Sequence, residues 1–110
     1  MAKDSKFKCE DLKVGDGNEV HSGDYIVIHY QGTLENGKKF DSSYDRGAPF
    51  RTRIGVGDVI DGWDMGVIGM KVGGKRKLII PAQLAYGDRP IGSIPANSTL
   101  VFEVELIGID

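Results

Sequence analysis

The sequence predicts an α+β protein: an antiparallel sheet with one short helix packed on its apolar face. Three observations predict it. "TLVFEVELIGI" (99–109) alternates, with Leu100, Phe102, Val104 and Leu106 on one face and Val101, Glu103, Glu105 and Ile107 on the other. That is the period of a half-buried antiparallel strand. "YIVIHYQGTL" (25–34) is dense in β-branched and aromatic residues, the composition of a strand. Glycine supplies 16 of the 110 residues, against a usual share of about 7%, so many turns join short strands.

The elements follow in order. Residues 1–5 are polar and expected to fray. "GDG" (15–17) marks a turn before the 25–34 strand. Asn36-Gly37 then signals a type I′ hairpin turn, which returns the chain into a strand starting near Lys38. "PFRTRIGVG" (49–57) reads as a strand with a loop after it. "DGWDMGVIGM" (61–70) reads as a short helix: Asp61 is a good N-cap, and Trp63, Val67 and Met70 fall at i, i+4 and i+7. Gly62 and Gly66 count against helix on propensity. "KRKLIIP" (75–81) is a strand stopped by Pro81. "AQLAYG" (82–87) is one helical turn, and "DRPIGSIPANS" (88–98) is a loop.

The length suits one domain with one core, and no repeat, linker or low-complexity segment divides it, so residues 1–110 are read as a single domain. A net charge of −2 makes no electrostatic case for nucleic acid or an anionic membrane. Cys9 is the only cysteine, which rules out an internal disulfide. The first residues carry no apolar leader, and no apolar run approaches the roughly 18 residues of a membrane span. The expectation is a soluble, cytoplasmic, monomeric protein.

Most catalytic constellations fail on chemistry. "GMKVGGKR" (69–76) nearly matches a phosphate loop, but Arg76 stands where a Ser or Thr must hold magnesium. The segment also leads into a strand and not a helix. Asp58, Asp61 and Asp64 lie three apart without the dense oxygen spacing of a calcium loop. His21 and His29 have no partner at metal-ligand spacing. Ser42, Ser43, His29 and Asp41 lack a nucleophile elbow, and "FDSS" reads as an Asx-type turn. What remains is an apolar inventory: Tyr30, Phe40, Phe50, Val59, Ile60, Trp63, Tyr86 and Phe102. Several of these sit beside turn signals, where aromatic residues tend to line a pocket.

Those residues fall within longer phrases: "VIHYQGTLENGKKFDSS" (27–43), "PF" (49–50), "VIDGWDMGVIGMKVGGKRKLIIP" (59–81), "LAYGD" (84–88) and "IPANSTLVFEVELIGI" (94–109). In order and spacing they resemble the FKBP family of peptidyl-prolyl cis–trans isomerases, over about residues 10–109. The resemblance implies a twisted antiparallel sheet of five to six strands wrapped around one short helix. It implies a proline pocket lined by Tyr30, Phe40, Asp41, Phe50, Val59, Ile60, Trp63, Tyr86 and Phe102, with Trp63 as floor and Ala85 and Ile94 beside it. Tyr86, Asp41, Phe102 and Trp63 would carry catalysis. Tyr86 would donate to the substrate carbonyl and the Ile60 amide to macrolide carbonyls. Asp41 would either face the pocket or serve structurally, as a turn cap or partner of Tyr30.

The implied partners are proline-containing peptides and proteins and the macrolides tacrolimus and rapamycin. No cofactor is implied, because rotation about an X-Pro bond makes and breaks no covalent bond. One departure stands out: the 88–98 loop is a residue shorter than in the best-known human member, with Arg89, Pro90 and Ile91 where that member has a histidine. The inserted domain and His-rich tail of the family's chaperone-like branch are absent, so the chain is expected to be the minimal catalytic unit. The competing reading is a non-catalytic module of the same fold that only binds proline segments. The joint presence of Trp63, Tyr86, Phe102 and Asp41 favours the enzyme.

Overall fold

A computed structural model describes residues 6–110, so the expectation for residues 1–5 lies outside the described residues. Six strands are present: β1 (Lys8–Lys13), β2 (Tyr25–Leu34), β3 (Lys39–Ser42), β4 (Phe50–Arg53), β5 (Lys75–Ile80) and β6 (Leu100–Ile109). They form one antiparallel sheet in the order β1-β5-β6-β2-β3, with β4 pairing β2 as well. The long strand β2 takes two short partners in succession: β4 along Tyr25–Ile28 and β3 along Gln31–Thr33. Helix α1 (Ser43–Arg46) follows β3, and helix α2 (Asp61–Gly66) precedes β5.

The central pair is β2 with β6, running from Ile26↔Ile109 to Leu34↔Leu100 with one register shift between Val27 and Ile28. As the alternation predicts, Leu100, Phe102, Val104 and Leu106 are all buried. They meet Ile26, Ile28 and Tyr30 from β2, Leu78 and Ile80 from β5, and Trp63, Val67 and Met70 from α2 and the turn after it. The apolar face of the sheet is thus closed by one short helix.

Helix α2 corrects three expectations. It stops at Gly66, not near residue 70, and Val67 closes it with an N–H bond to the Trp63 carbonyl at 2.9 Å. Met70 stays buried by coming back through a turn. Asp61 is the first helical residue and not the cap. Ile60 holds the cap position, and no side chain bonds there. Asp61 and Asp64 favour the first turn through its exposed N–H dipoles. Gly62 and Gly66, which propensity counts against helix, are what let the helix sit here. A Cβ on Gly62 would lie 2.5 Å from Ile80, and one on Gly66 2.7 Å from Leu78. The helix therefore lies flush against β5.

Its far end is fastened from β5. Arg76 Nη1 donates to the Gly66 and Ile68 carbonyls at 2.9 and 3.0 Å, taking up groups that a helix end leaves unpaired. Its Nε donates to Asp11 on β1 at 2.6 Å.

Other differences have local causes. Strand β1 was not foreseen: "KCEDLK" is exposed along its whole length, so it has no buried face to impose alternation. The β2–β3 turn is not type I′. Asn97 is the one non-glycine residue with positive φ among the described residues, so Asn36 lacks the backbone that type I′ demands. Instead the Gly37 N–H meets the Leu34 carbonyl, and the Asn36 side chain accepts the Lys38 N–H at 2.9 Å. "FDSS" leads into helix α1, with Ser42 as its N-cap. The strand expected over 49–57 ends at Arg53, and the turn expected over 82–87 is a 3-10 helix of Ala82–Leu84. The glycine segment 69–76 feeds β5 as a turn, as its sequence predicts.

These contacts reverse the usual sign of a helix substitution. Ala in place of Gly normally stabilises a helix interior by about 1 kcal/mol. Gly62→Ala must push Ile80 aside, and overpacking costs about 1–3 kcal/mol. Urea denaturation of Gly62→Ala is expected to show a net loss of stability.

Candidate active site

The cavity over helix α2 has a volume of about 430 Å³. Seven parts of the chain build it. Strand β2 supplies Tyr30, β3 supplies Phe40 and Asp41, and β4 opens with Phe50. The segment before α2 supplies Gly57, Asp58, Val59 and Ile60. Trp63 comes from α2, Tyr86 from the loop after the 3-10 turn, and Phe102 from β6. Nine of the eleven residues expected in the pocket line this one cavity. Ala85 and Ile94 do not: Ile94 is buried in the core, and Ala85 packs partly buried against it. Ile94 sits in a tight turn in which Ile91 and Ile94 exchange backbone bonds at 3.0 and 2.8 Å, while Ala85 closes the 3-10 turn with its N–H on the Ala82 carbonyl at 2.9 Å. Arg89, Pro90 and Ile91 also lie outside the lining.

The aromatic rings are arranged as a floor with upright walls. The planes of Tyr30, Phe50 and Phe102 stand at 79°, 77° and 87° to the Trp63 indole, with centroids 5.1, 6.0 and 5.4 Å away. Phe40 meets Phe102 edge-on at 5.6 Å. Edge-to-face contact is the favoured arrangement of such rings. Trp63 is only 4% exposed, yet it lines the cavity, so one side packs the core while the other faces the opening. Its indole N–H has no hydrogen-bond partner among the described residues, so ring packing alone holds it.

A polar frame stiffens the wall behind Tyr30. The Tyr30 hydroxyl donates to Asp41 Oδ2 at 2.6 Å and accepts from Arg46 Nη2 at 2.9 Å. Asp41 Oδ1 accepts from Arg46 Nη1 and from the Ser42 N–H. Arg46 also lies over the Tyr30 ring, 5.5 Å from its centroid. Both roles left open for Asp41 thus coexist in its geometry: it lines the cavity, and it ties Tyr30 to the turn. Burial pushes its carboxyl up, but hydrogen bonds from Tyr30 and Arg46 outweigh burial and leave it below the ordinary value. Tyr86 is pushed up by burial and then by the charge of Asp41, so its phenol stays protonated and able to donate at neutral pH. That hydroxyl donates to no group among the described residues, and neither does the Ile60 N–H.

Arg46, Gly57 and Asp58 were not foreseen at the site. Arg46 follows Asp41 by five residues, and only the short helix α1 folds it back. The remaining polar candidates take other positions. Ser43 Oγ is 2.8 Å from His29 Nδ1, but Ser43 is fully buried and takes the Tyr30 N–H, while Asp41 faces Tyr30. No exposed nucleophile results. Asp64 accepts two backbone N–H groups of the 54–58 loop.

The lowered carboxyl of Asp41 sets a pH test. A group with a depressed folded pKa adds stability that is present above its unfolded value and lost as pH falls through the folded one. The stability advantage of the protein over its Asp41→Asn variant should hold steady above about pH 5 and shrink below about pH 4. Urea titrations of both proteins across that range measure it. A constant difference would show that the carboxylate gains nothing from Tyr30 and Arg46.

The sequence pattern of the FKBP-type peptidyl-prolyl cis-trans isomerases matches residues 17–107. FK506-binding protein 2 of Dictyostelium discoideum is 66% identical over 93 residues, covering 84% of this chain and 70% of that protein. FK506-binding protein 1 of Saccharomyces cerevisiae is 52% identical across 97% of this chain and 96% of its own length. The crystal structure of AtFKBP13 superposes with a TM-score of 0.89 at 49% identity, covering 94% of this chain and 93% of that one. The upright aromatic box and the one short helix beneath it therefore have a family: the chain belongs to the FKBP-type peptidyl-prolyl cis-trans isomerases and accelerates rotation about X-Pro bonds.

Proposed function

We propose that the cavity over Trp63 is where this isomerase seats the proline, with the ring resting on the indole between Tyr30, Phe50 and Phe102. The observation that carries this reading is the three ring planes standing within 77–87° of the indole plane around an open floor. A pyrrolidine ring is flat, apolar and lacks an N–H, so it suits such a box without leaving a polar group unsatisfied.

The chemistry follows from amide resonance. Rotation about the X-Pro bond crosses a barrier of about 18–20 kcal/mol because twisting breaks that resonance. The planar amide separates charge, while the twisted one is less polar. An apolar aromatic site therefore favours the twisted form over the planar one, and each 1.36 kcal/mol of such difference is a factor of about ten in rate. The Tyr86 hydroxyl and the Ile60 N–H are donors left open at the rim for substrate carbonyls. Asp41, held ionised by Tyr30 and Arg46, presents negative charge at one wall. No step needs a nucleophile, a metal or a cofactor.

The same pocket is the site proposed for macrolide ligands of the tacrolimus and rapamycin type. Its volume lies within the roughly 300–1,000 Å³ of drug-sized sites. FK506 appears in the names of both relatives described above.

The activity is read by following cis-to-trans relaxation of a Leu-Pro or Phe-Pro tetrapeptide. The rate is expected to rise in proportion to protein and to fall to the uncatalysed value with rapamycin. A rapamycin-insensitive rate would move the active site away from this cavity. Tyr86→Phe is the clean variant: losing one hydrogen bond should lower kcat/KM about two- to tenfold with the fold intact. Phe102→Ala is a harsher test, because Phe102 is 4% exposed and its truncation costs about 3–5 kcal/mol of stability as well as activity.

A further inference from the structure

We infer that Asp64, which does not line the cavity, is a positioning residue for catalysis: its carboxylate sets the pocket wall against the Trp63 floor. The inference rests on the assignment of this cavity as the proline site. Asp64 follows Trp63 on helix α2. Its Oδ1 accepts the Gly55 N–H at 2.7 Å, and its Oδ2 accepts the Gly57 N–H at 2.9 Å. One side chain thus reaches from the floor element to the loop that bears Gly57, Asp58, Val59 and Ile60, all of which line the cavity.

The two bonds differ in importance. Gly55 is also held elsewhere: its carbonyl accepts from Ser22 Oγ at 3.3 Å, and its neighbour Ile54 bonds to the 23–24 turn through both backbone groups. From Val56 to Val59, the Gly57–Asp64 bond is the one hydrogen bond among the described residues. Gly55 and Gly57 stand at φ of +85° and +84°, a backbone open to glycine, which turns both N–H groups toward the same carboxylate. The stretch between this anchor and the start of α2 carries the Ile60 N–H. The Ile60 end of this stretch is fixed to α2 by its own carbonyl, which accepts the Trp63 and Asp64 N–H groups at 3.0 and 3.2 Å, so the anchor sets the other end, where Gly57, Asp58 and Val59 form the wall. Interactions with a carboxylate are the stronger class of hydrogen bond, so the anchor is a stiff one.

The experiment compares the protein with Asp64→Asn and Asp64→Glu. Asparagine keeps the shape but turns an amide N–H₂ toward one of the two donors, whereas glutamate keeps both acceptor oxygens. Three quantities are read: tacrolimus affinity by calorimetry, kcat and KM on a Leu-Pro peptide, and amide exchange at Gly57. Asp64→Asn is expected to weaken tacrolimus binding about tenfold and to raise KM more than it lowers kcat, with faster exchange at Gly57. Asp64→Glu is expected to recover most of the affinity.

An amide-to-ester replacement at Gly57 removes the same bond from the other end and leaves the helix untouched. It should weaken binding in the same way, and it decides the matter if Asp64→Asn does not fold. Affinity within twofold of the parent, in a folded variant whose Gly57 exchange has accelerated, overturns the positioning role. Failure of the parent protein itself to bind tacrolimus overturns the assignment of the cavity, and the inference with it.

Discussion

The constraint on which the rest depends is the absence of a helix side chain at the two positions, Gly62 and Gly66, where α2 meets the side chains of strand β5. Gly62 and Gly66 face Ile80 and Leu78 at distances no Cβ tolerates. A helix seated that closely is only six residues long and needs none of its own length for stability, because packing supplies it. Its depth decides the depth of Trp63. One layer higher, the indole would stand in solvent as a costly exposed aromatic. At the observed depth it completes the core with one side and leaves the other as a floor.

The walls are then a consequence of where the strands run. Tyr30 and Phe102 lie on adjacent strands β2 and β6, and Phe50 opens β4 on the opposite side of β2. Their planes stand upright on the indole because edge-to-face contact is the low-energy way to pack rings around a ring. A pocket made of apolar walls is prone to collapse, and three charged side chains oppose that. Arg46 and Asp41 brace Tyr30 through its hydroxyl, and Asp64 braces the loop side through backbone N–H groups. Arg76 braces the far end of the helix. The site is apolar inside and held in shape by polar contacts outside.

How much was legible in the chain follows from which physics was local. The alternation of Leu100, Phe102, Val104 and Leu106 is a period-2 signal, and the strand formed as read. Tyr25–Leu34 was legible from composition for the same reason. Strand β1 was not, because an edge strand exposed on every residue leaves no periodic trace. Asp61 made a plausible cap by residue type, yet the cap position fell one residue earlier. The type I′ turn failed because the Asn36 side chain offered the Lys38 N–H a partner that needs no positive φ at Asn36. Asp64 shows the same limit: its charge and its place in a first helical turn were readable, while its two loop partners lie seven and nine residues back in the chain.

By itself the sequence determined the strands with a buried face, the helix that carries Trp63, the apolar character of the site, and, through its motifs, the family. Those rest on side-chain chemistry and short-range periodicity, which a linear string records. Only the tertiary structure decided that the glycines of the helix serve contact and not flexibility. Only it decided that Ile94 turns inward to the core, that Arg46 returns to the site, and that Asp64 ties wall to floor. Each of these depends on how closely two segments approach in space, and that distance is set by the packed whole.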